Sequence, residues 1–195
     1  MITVAIQAGG RSNRMGRDKA LIPLAGKPLI QHVIERIDGL GDEILVTTNR
    51  PQDYAFLGLR LASDRKPGEG TLIGLQTALE HAQGETVLLL ACDMPFVSRK
   101  LMEHLLQLAP EADVVIPRRG DYFEPLQAVY GRTCLPAVEA ALARGDQRMV
   151  SFFSQVNVLP VEKEDLDRFD PKGLSFFNIN RPQDLIQAEA MVSEV

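Results

Sequence analysis

A loop rich in glycine and basic residues follows the first apolar run of the chain. Residues 2–7 read as a strand, and residues 7–19 carry three glycines, three arginines and one lysine. Glycine lets a backbone approach a ligand closely and adopt positive φ without a Cβ penalty. Successive backbone N–H groups form concavities that bind anions, and arginine and lysine add full positive charges. The loop therefore predicts a site for a triphosphate or another multiply charged anion.

Within this loop, Arg14 and Lys19 are the favoured phosphate ligands, because the intervening Gly16 indicates a tight and specific path. Arg11 and Arg17 are equally well explained as solvated surface residues. The loop is not a P-loop, since no Gly-Lys-Ser/Thr stands at the required spacing. It also lacks the Gly-x-Gly-x-x-Gly pattern of dinucleotide-binding proteins, so its spacing alone names no nucleotide.

Asp93 stands directly beyond an apolar strand. Residues 86–91 read as a central parallel strand covered on both faces, and an ionised carboxylate at its end is costly to bury without a partner. The carboxyl ends of parallel strands face the crevice in which open α/β sheets bind ligands. Two interpretations remain open. Asp93 is either a ligand of Mg²⁺, which favours a few carboxylates plus phosphate oxygens and waters, or a turn residue before Pro95.

Other polar side chains follow predicted strands. Asn49 and Asp64 each lie just past one, and each is either an ordinary turn residue or a ligand of a base or ribose. Asn178 and Asn180 lie two apart in the run 176–180, which reads as a strand, so their side chains are predicted to point the same way. One of them could complete a metal shell.

These residues lie in an alternation of apolar strands and amphipathic helices, which predicts a three-layer α/β fold with a mostly parallel sheet. Thr71 and Ser98 are predicted helix N-caps. The run 126–130 is predicted as a further strand, with an antiparallel direction left open. A short helix is predicted over 147–155, and a final helix over about 182–193.

Composition restricts the class of protein. The 195 residues carry no repeat or linker, so we expect a single domain over 1–195, whose last third could wall off a second substrate. A net charge of −5 argues against a general nucleic-acid binder. Cys92 and Cys134 offer neither a disulfide framework nor metal-ligand spacing, which favours a cytoplasmic protein. No apolar run reaches about 18 residues, so neither a membrane span nor a signal peptide is expected.

The motif from Ala8 to Lys19 resembles the signature of nucleotidyltransferases with a Rossmann-like nucleotide-diphospho-sugar transferase (glycosyltransferase-A) fold. Together with Cys92-Asp93-Met94-Pro95 and the run 177–185, it is most similar to the molybdenum cofactor guanylyltransferases, over nearly the whole chain. The resemblance implies transfer of GMP from GTP to the terminal phosphate of molybdenum-loaded molybdopterin, with release of pyrophosphate and with Mg²⁺ as cofactor. Two departures stand out: Gln7 replaces a usual leucine, and 70–74 replaces a Gly-Pro-Leu-Ala-Gly that lies near the base.

The resemblance also implies residue roles. It makes Asp93 the metal ligand and places Asn178 and Asn180 near the metal and the acceptor. We assign catalytic roles to Arg14, Lys19 and Asp93, because Arg14 and Lys19 supply positive charge to the leaving phosphates and Asp93 would hold the metal. The N-terminal half then binds the nucleotide and the C-terminal part binds the acceptor. Proteins that deliver the cofactor or mature molybdoenzymes become candidate partners. The implied nucleotide contacts are Gln7, Ala8, Gly9, Lys19, Asn49, Asp64 and Asp93, to which we add the backbone of Gly10 in the same loop.

Three alternative functions stay open at this stage. The first is a cytidylyltransferase that acts on a related pterin, and the second is another small-molecule nucleotidyltransferase, such as one acting on a sugar phosphate. The third is a non-catalytic nucleotide-binding module in cofactor assembly. The joint presence of Arg14, Lys19 and Asp93 favours an enzyme, because binding alone would not require the metal carboxylate.

Overall fold

The fold is built on one large twisted sheet. A computed structural model describes residues 1–8, 18–65 and 70–192, and within those ranges the sheet has eight strands in the order β10-β7-β9-β6-β1-β4-β5, with β8 paired to β7. The strands are β1 Ile2–Gln7, β4 Glu43–Thr47, β5 Arg60–Ala62, β6 Thr86–Ala91, β7 Val114–Arg119, β8 Tyr122–Phe123, β9 Gln127–Gly131 and β10 Val158–Val161. A separate antiparallel hairpin joins β2 Pro23–Leu24 to β3 Lys27–Pro28.

Most of the sheet is parallel, as the sequence predicts. Strand β1 pairs in parallel with β4 and β6, while β9 runs antiparallel to both β6 and β7. The predicted strand at 126–130 is therefore confirmed, and its direction is antiparallel. Because β9 reverses direction, β7 points the same way as β6, and the two strands reach the same edge of the sheet.

Helices cover both faces of the sheet, which confirms the predicted three layers. One face packs against α1, α4 and α6, whose buried residues include Val33, Met102 and Leu166. The other packs against α3 and α5, with Leu75 and Val138 in the core. The helices are α1 Leu29–Ile37, α2 Pro51–Tyr54, α3 Thr71–His81, α4 Arg99–Leu108, α5 Leu135–Ala143, α6 Lys163–Phe169 and α7 Pro182–Val192.

The last helix packs against an early part of the chain. A third cluster of buried side chains joins Ala188 of α7 and Ile179 to Ile22, Leu24 and other residues that lie beside the β2–β3 hairpin. Because Ile22 follows directly on a short 3₁₀ turn at Lys19–Leu21, this contact fixes the C-terminal segment beside Lys19.

Three local predictions are wrong. Thr71 is the first helical residue of α3, and Gly70 occupies the N-cap position with φ of 96°, a conformation that costs glycine little and threonine much. The segment 147–155 contains only a 3₁₀ turn at Phe153–Gln155, so the predicted helix does not form there. The run 176–180 is not a strand: a 3₁₀ turn at Leu174–Phe176 precedes irregular backbone.

Candidate active site

Four parallel strands end at one level, and this places the predicted site residues together. The register pairs Gln7 with both Thr47 and Ala91, and Thr47 with Ala62. The second residue beyond each strand end is then a predicted ligand, namely Gly9, Asn49, Asp64 and Asp93. The loop 9–17 lies outside the described residues, and with it the predicted ligands Gly9, Gly10 and Arg14.

Lys19, Asp93 and Asn180 form a polar cluster at this edge. The Lys19 ammonium lies 3.3 Å from Asp93 Oδ2 and also donates a hydrogen bond to Asn180 Oδ1. The Asp93 side chain is only 14% exposed, and burial raises the pKa of its carboxyl, although the Lys19 charge opposes the shift. An ammonium has three donors, so these two contacts leave Lys19 one hydrogen for a further acceptor.

The C-terminal segment reaches this cluster through its backbone. The N–H of Ile179 donates to the Asp93 carbonyl at 3.0 Å, and Asn178 and Asn180 flank that bond. Asp184 in the first turn of α7 accepts 2.8 Å hydrogen bonds from the N–H groups of Asn180 and Arg181, which fixes the turn that carries Asn180. The structure therefore places Asn180 on Lys19 by turn contacts rather than by the predicted strand.

The side-chain oxygen of Asn178 is buried and has no hydrogen-bond partner within the part of the chain that the structure describes. Buried polar atoms normally have one, so this oxygen is a free acceptor within two residues of the Asp93 contact. Among residues 1–8, 18–65 and 70–192, no three His, Cys, Asp or Glu side chains gather as a metal site. The donor set nevertheless fits Mg²⁺, which commonly takes one or two carboxylates and completes its shell with phosphate oxygens and water.

A second polar group joins the ends of β4 and β5. Asn49 Nδ2 donates to Asp64 Oδ2 at 2.8 Å, and the Asp64 N–H donates back to Asn49 Oδ1 at 3.1 Å. The Thr77 hydroxyl of α3 lies 2.7 Å from the other Asp64 oxygen. The two predicted nucleoside ligands thus form one interlocked pair, held by a threonine that sequence reasoning did not identify.

Backbone polar groups of Gln7 and Ala8 form hydrogen bonds with the neighbouring strand ends. The Gln7 carbonyl accepts from the Cys92 N–H at 3.3 Å, and the Ala8 N–H donates to the Thr47 carbonyl at 2.9 Å. The Gln7 side chain is buried and donates to the Thr71 carbonyl at 3.2 Å. These bonds hold the ends of the strands together.

Comparison with known proteins agrees with this arrangement. A family model described as "MobA-like NTP transferase domain" matches residues 4–159. A crystal structure of molybdopterin-guanine dinucleotide biosynthesis protein A from Archaeoglobus fulgidus superposes with a TM-score of 0.86 at 31% identity, covering 99% of this chain and 100% of that one. The fold is accordingly that of the nucleotide-diphospho-sugar nucleotidyltransferases.

Curated relatives define the family more closely. A probable molybdenum cofactor guanylyltransferase from Pelotomaculum thermopropionicum is 34% identical over 97% of this chain and 92% of its own length. The molybdenum cofactor guanylyltransferase of Vibrio parahaemolyticus is 35% identical over 93% and 92%. The chain therefore belongs to the MobA-like nucleotidyltransferases, in the family of the molybdenum cofactor guanylyltransferases. Across the described ranges, no helix has the length and apolarity needed to cross a membrane.

Proposed function

We propose that this protein transfers GMP from GTP to the terminal phosphate of molybdenum-loaded molybdopterin and releases pyrophosphate. The observation that carries the proposal is the Lys19 ammonium held between Asp93 and Asn180 at the carboxyl edge of the sheet. In a chain of this family, a cation and a carboxylate at that edge suit a nucleoside triphosphate. The relatives named above supply the choice of GTP and of molybdopterin.

In this proposal the nucleotide spans both polar groups of the edge. The interlocked Asn49–Asp64 pair binds the nucleoside, because its amide and carboxylate retain lone pairs for ribose or base. Lys19 and Arg14 bind the phosphates that leave as pyrophosphate. The proposed nucleotide contacts are Gln7, Ala8, Gly9, Gly10, Lys19, Asn49, Asp64 and Asp93.

We propose Mg²⁺ as the metal, with Asp93 as its protein ligand and the free Asn178 oxygen as an additional acceptor nearby. The ion would neutralise charge between the two anionic substrates. Asn180 holds Lys19 in place, and the C-terminal segment that carries both asparagines contributes to the acceptor side of the site.

The reaction needs alignment more than proton transfer. An oxygen of the acceptor phosphate attacks the α-phosphorus of GTP, a P–O bond forms, and the bond to the β-phosphate breaks with its electron pair leaving on pyrophosphate. The acceptor phosphate is already an anionic nucleophile, so no general base is required. Positioning and stabilisation of charge by Lys19, Arg14 and Asp93 then supply catalysis, as in phosphoryl transfer generally.

Pyrophosphate release from each nucleoside triphosphate, with and without molybdopterin, tests the proposal. We expect pyrophosphate release from GTP but from no other triphosphate, and only when molybdopterin is present. Release from CTP instead would indicate a cytidylyltransferase, and release that depends on a sugar phosphate would indicate a different small-molecule nucleotidyltransferase. No release from any triphosphate would contradict catalysis and favour a nucleotide-binding module in cofactor assembly.

Lys19→Ala tests the phosphate role directly. We expect kcat to fall by about 10²–10³-fold, the usual effect of losing one preorganised electrostatic donor. Lys27→Ala is a matched control, because Lys27 pairs with Glu35 on an exposed surface. Turnover of Lys19→Ala close to that of the control at saturating GTP and Mg²⁺ would contradict the role.

A further inference from the structure

We propose that Asp18 is a positioning residue that couples the Lys19 turn to the Asn49–Asp64 pair through Arg50. The proposal rests on the function proposed above, because it assigns Lys19 to the phosphates and the Asn49–Asp64 pair to the nucleoside. It adds a link between the two groups that neither the resemblance nor the names of the relatives provide.

One oxygen of Asp18 fixes the start of the turn that carries Lys19. Asp18 is the N-cap of the 3₁₀ turn Lys19–Leu21, and its Oδ1 accepts a hydrogen bond from the Ala20 N–H at 3.1 Å. Its carbonyl accepts a second bond from the Leu21 N–H at 3.2 Å. Both bonds set the backbone direction at Lys19 and hence where the ammonium can reach.

The other oxygen of Asp18 reaches across to the nucleoside side. Arg50 Nη2 lies 2.5 Å from Asp18 Oδ2, although the two residues are 32 positions apart. Arg50 directly follows Asn49, and its N–H donates to the Thr48 hydroxyl at 3.2 Å. A displacement of Arg50 therefore moves the residue that interlocks with Asp64.

The surroundings of the bridge favour a precise geometry. The Asp18 side chain is 12% exposed, whereas that of Arg50 is 49% exposed. Tyr54 is buried beside the bridge, and its pKa is raised by burial and by the Asp18 carboxylate, so the phenol stays neutral. Charge-assisted hydrogen bonds in such partly buried places are short and directional.

The bridge is better suited to positioning than to stability. About half of the Arg50 side chain is exposed to solvent, and ion pairs with such an exposed partner contribute little to the free energy of folding. A small misplacement of a group that aligns reactants, by contrast, lowers the rate strongly. Loss of the bridge should therefore reduce turnover far more than it reduces resistance to unfolding.

Asp18→Asn isolates the charge, because asparagine still caps a helical turn well. We expect kcat for pterin-dependent pyrophosphate release to fall about tenfold to a hundredfold. The KM for molybdopterin should be unchanged and the thermal midpoint close to that of the wild type.

Arg50→Gln should lower kcat in the same way, and Arg50→Lys should restore part of the loss, since the positive charge is kept. Asp167→Asn, which breaks an exposed pair with Lys163 on α6, is the control.

The Asp18→Asn/Arg50→Gln double variant decides between coupling and two separate roles. If the residues act through one bridge, the double variant should match the larger single effect within about twofold. The coupling would be overturned if the fall in kcat of the double variant equalled the product of the two single falls. It would also be overturned if all three variants had the same kcat as the control. The wild-type measurement distinguishes failure of the proposed function from failure of the coupling. If the wild type releases no pyrophosphate, the proposed function is contradicted, and the coupling that rests on it is contradicted too.

Discussion

At the scale of single residues, the buried carboxamide of Gln7 accounts for a glycine in the middle of α3. A Cβ at Gly74 would lie 1.9 Å from Gln7 Nε2 and 2.5 Å from its Cδ. Gln7 is itself held by the Thr71 carbonyl, so its amide has little freedom to retreat. The glutamine at position 7 and the glycine at position 74 thus form one packing unit at the strand end.

Gly74→Ala should destabilise the protein by about 1–3 kcal/mol, the usual cost of overpacking a core. In a Gln7→Ala background the clash is absent, and the same substitution should stabilise by about 0.5–1 kcal/mol, because alanine is the better helix former. Urea unfolding of the four proteins measures both effects. An equal cost in both backgrounds would show that the amide is not the obstacle.

Asp93 should cost the unliganded protein stability. Burial raises the pKa of its carboxyl in the folded state, so above that pKa the ionised form is disfavoured by folding. In metal-free buffer without nucleotide, Asp93→Asn should therefore unfold at a higher temperature than the wild type near neutral pH. The difference should shrink as the pH falls towards about 3.9, the ordinary aspartate value.

Thermal unfolding at several pH values in EDTA measures this difference. Because we propose Asp93 as the metal ligand, we expect GTP with Mg²⁺ to raise the unfolding temperature of the wild type but not that of Asp93→Asn, so the two effects have opposite signs. A lower midpoint for Asp93→Asn at neutral pH would mean that the Lys19 contact outweighs burial.

Sequence reasoning identified most of the polar residues that the structure brings together. Lys19 was identified from the basic loop, and others because they follow apolar strands. Asn49, Asp64 and Asp93 carry this signal plainly. Thr77 and the Gln7 side chain were missed as contacts, since their partners are distant in sequence. A glutamine where the strand pattern calls for an apolar residue was the available signal at position 7.

At the scale of elements, the Ser98 hydroxyl both caps helix α4 and joins it to helix α6. Its hydroxyl accepts from the Leu101 N–H at 3.3 Å, as predicted for the N-cap of α4, and it also donates to the Phe169 carbonyl at 2.8 Å. The second bond ties α4 to the end of α6. The predicted cap is therefore confirmed, and its tertiary contact is new.

Ser98→Ala should destabilise by about 1–2 kcal/mol, because it removes a cap and leaves a carbonyl without its donor. Ser154→Ala, at an exposed position, should be neutral. Denaturant midpoints at constant slope provide the measurement. Equal midpoints for the two variants would contradict a stabilising role for the hydroxyl.

Elements were missed where the local pattern is weak. Helix α6 has one buried residue, Leu166, among charged neighbours, and so lacks the apolar stripe that predicts a helix. The β2–β3 hairpin turns at Ala25 and Gly26, both with positive φ, and alanine is not a residue that signals such a turn. Tertiary packing, rather than local preference, decides both.

At the scale of the whole molecule, the β7–β8 hairpin extends beyond the start of β9 at the same edge as Asp93. The Arg119 guanidinium carbon lies 4.9 Å from the centre of the Phe176 ring, and Phe176 leads into the segment of Asn178 and Asn180. The hairpin therefore borders the part of the site that we assign to the acceptor.

Arg119→Gln should raise the KM for molybdopterin by about tenfold, the effect of one lost charge contact, and leave the KM for GTP unchanged. Arg132→Gln is the control, because Arg132 pairs with Glu85 at the opposite edge of the sheet. Steady-state kinetics with each substrate varied in turn separates the two constants. Equal changes in both KM values would contradict a division into nucleotide and acceptor parts.

The sequence predicted layers and mostly parallel direction but not the order of the strands. Alternating strands and helices require crossovers and so imply a parallel sheet. Strand order and the reversal at β9 depend on pairing between distant segments, which leaves no periodic trace in the sequence.

The contact between Lys19 and Asn180 joins residues 161 positions apart, and this has a consequence for biosynthesis. Translation proceeds from the N-terminus, so a growing chain carries the lysine long before its amide partner has been made. In a chain that has been made only as far as β6 and its following turn, Lys19 can meet Asp93 but not Asn180, so the polar cluster is incomplete until residue 180 has been synthesised.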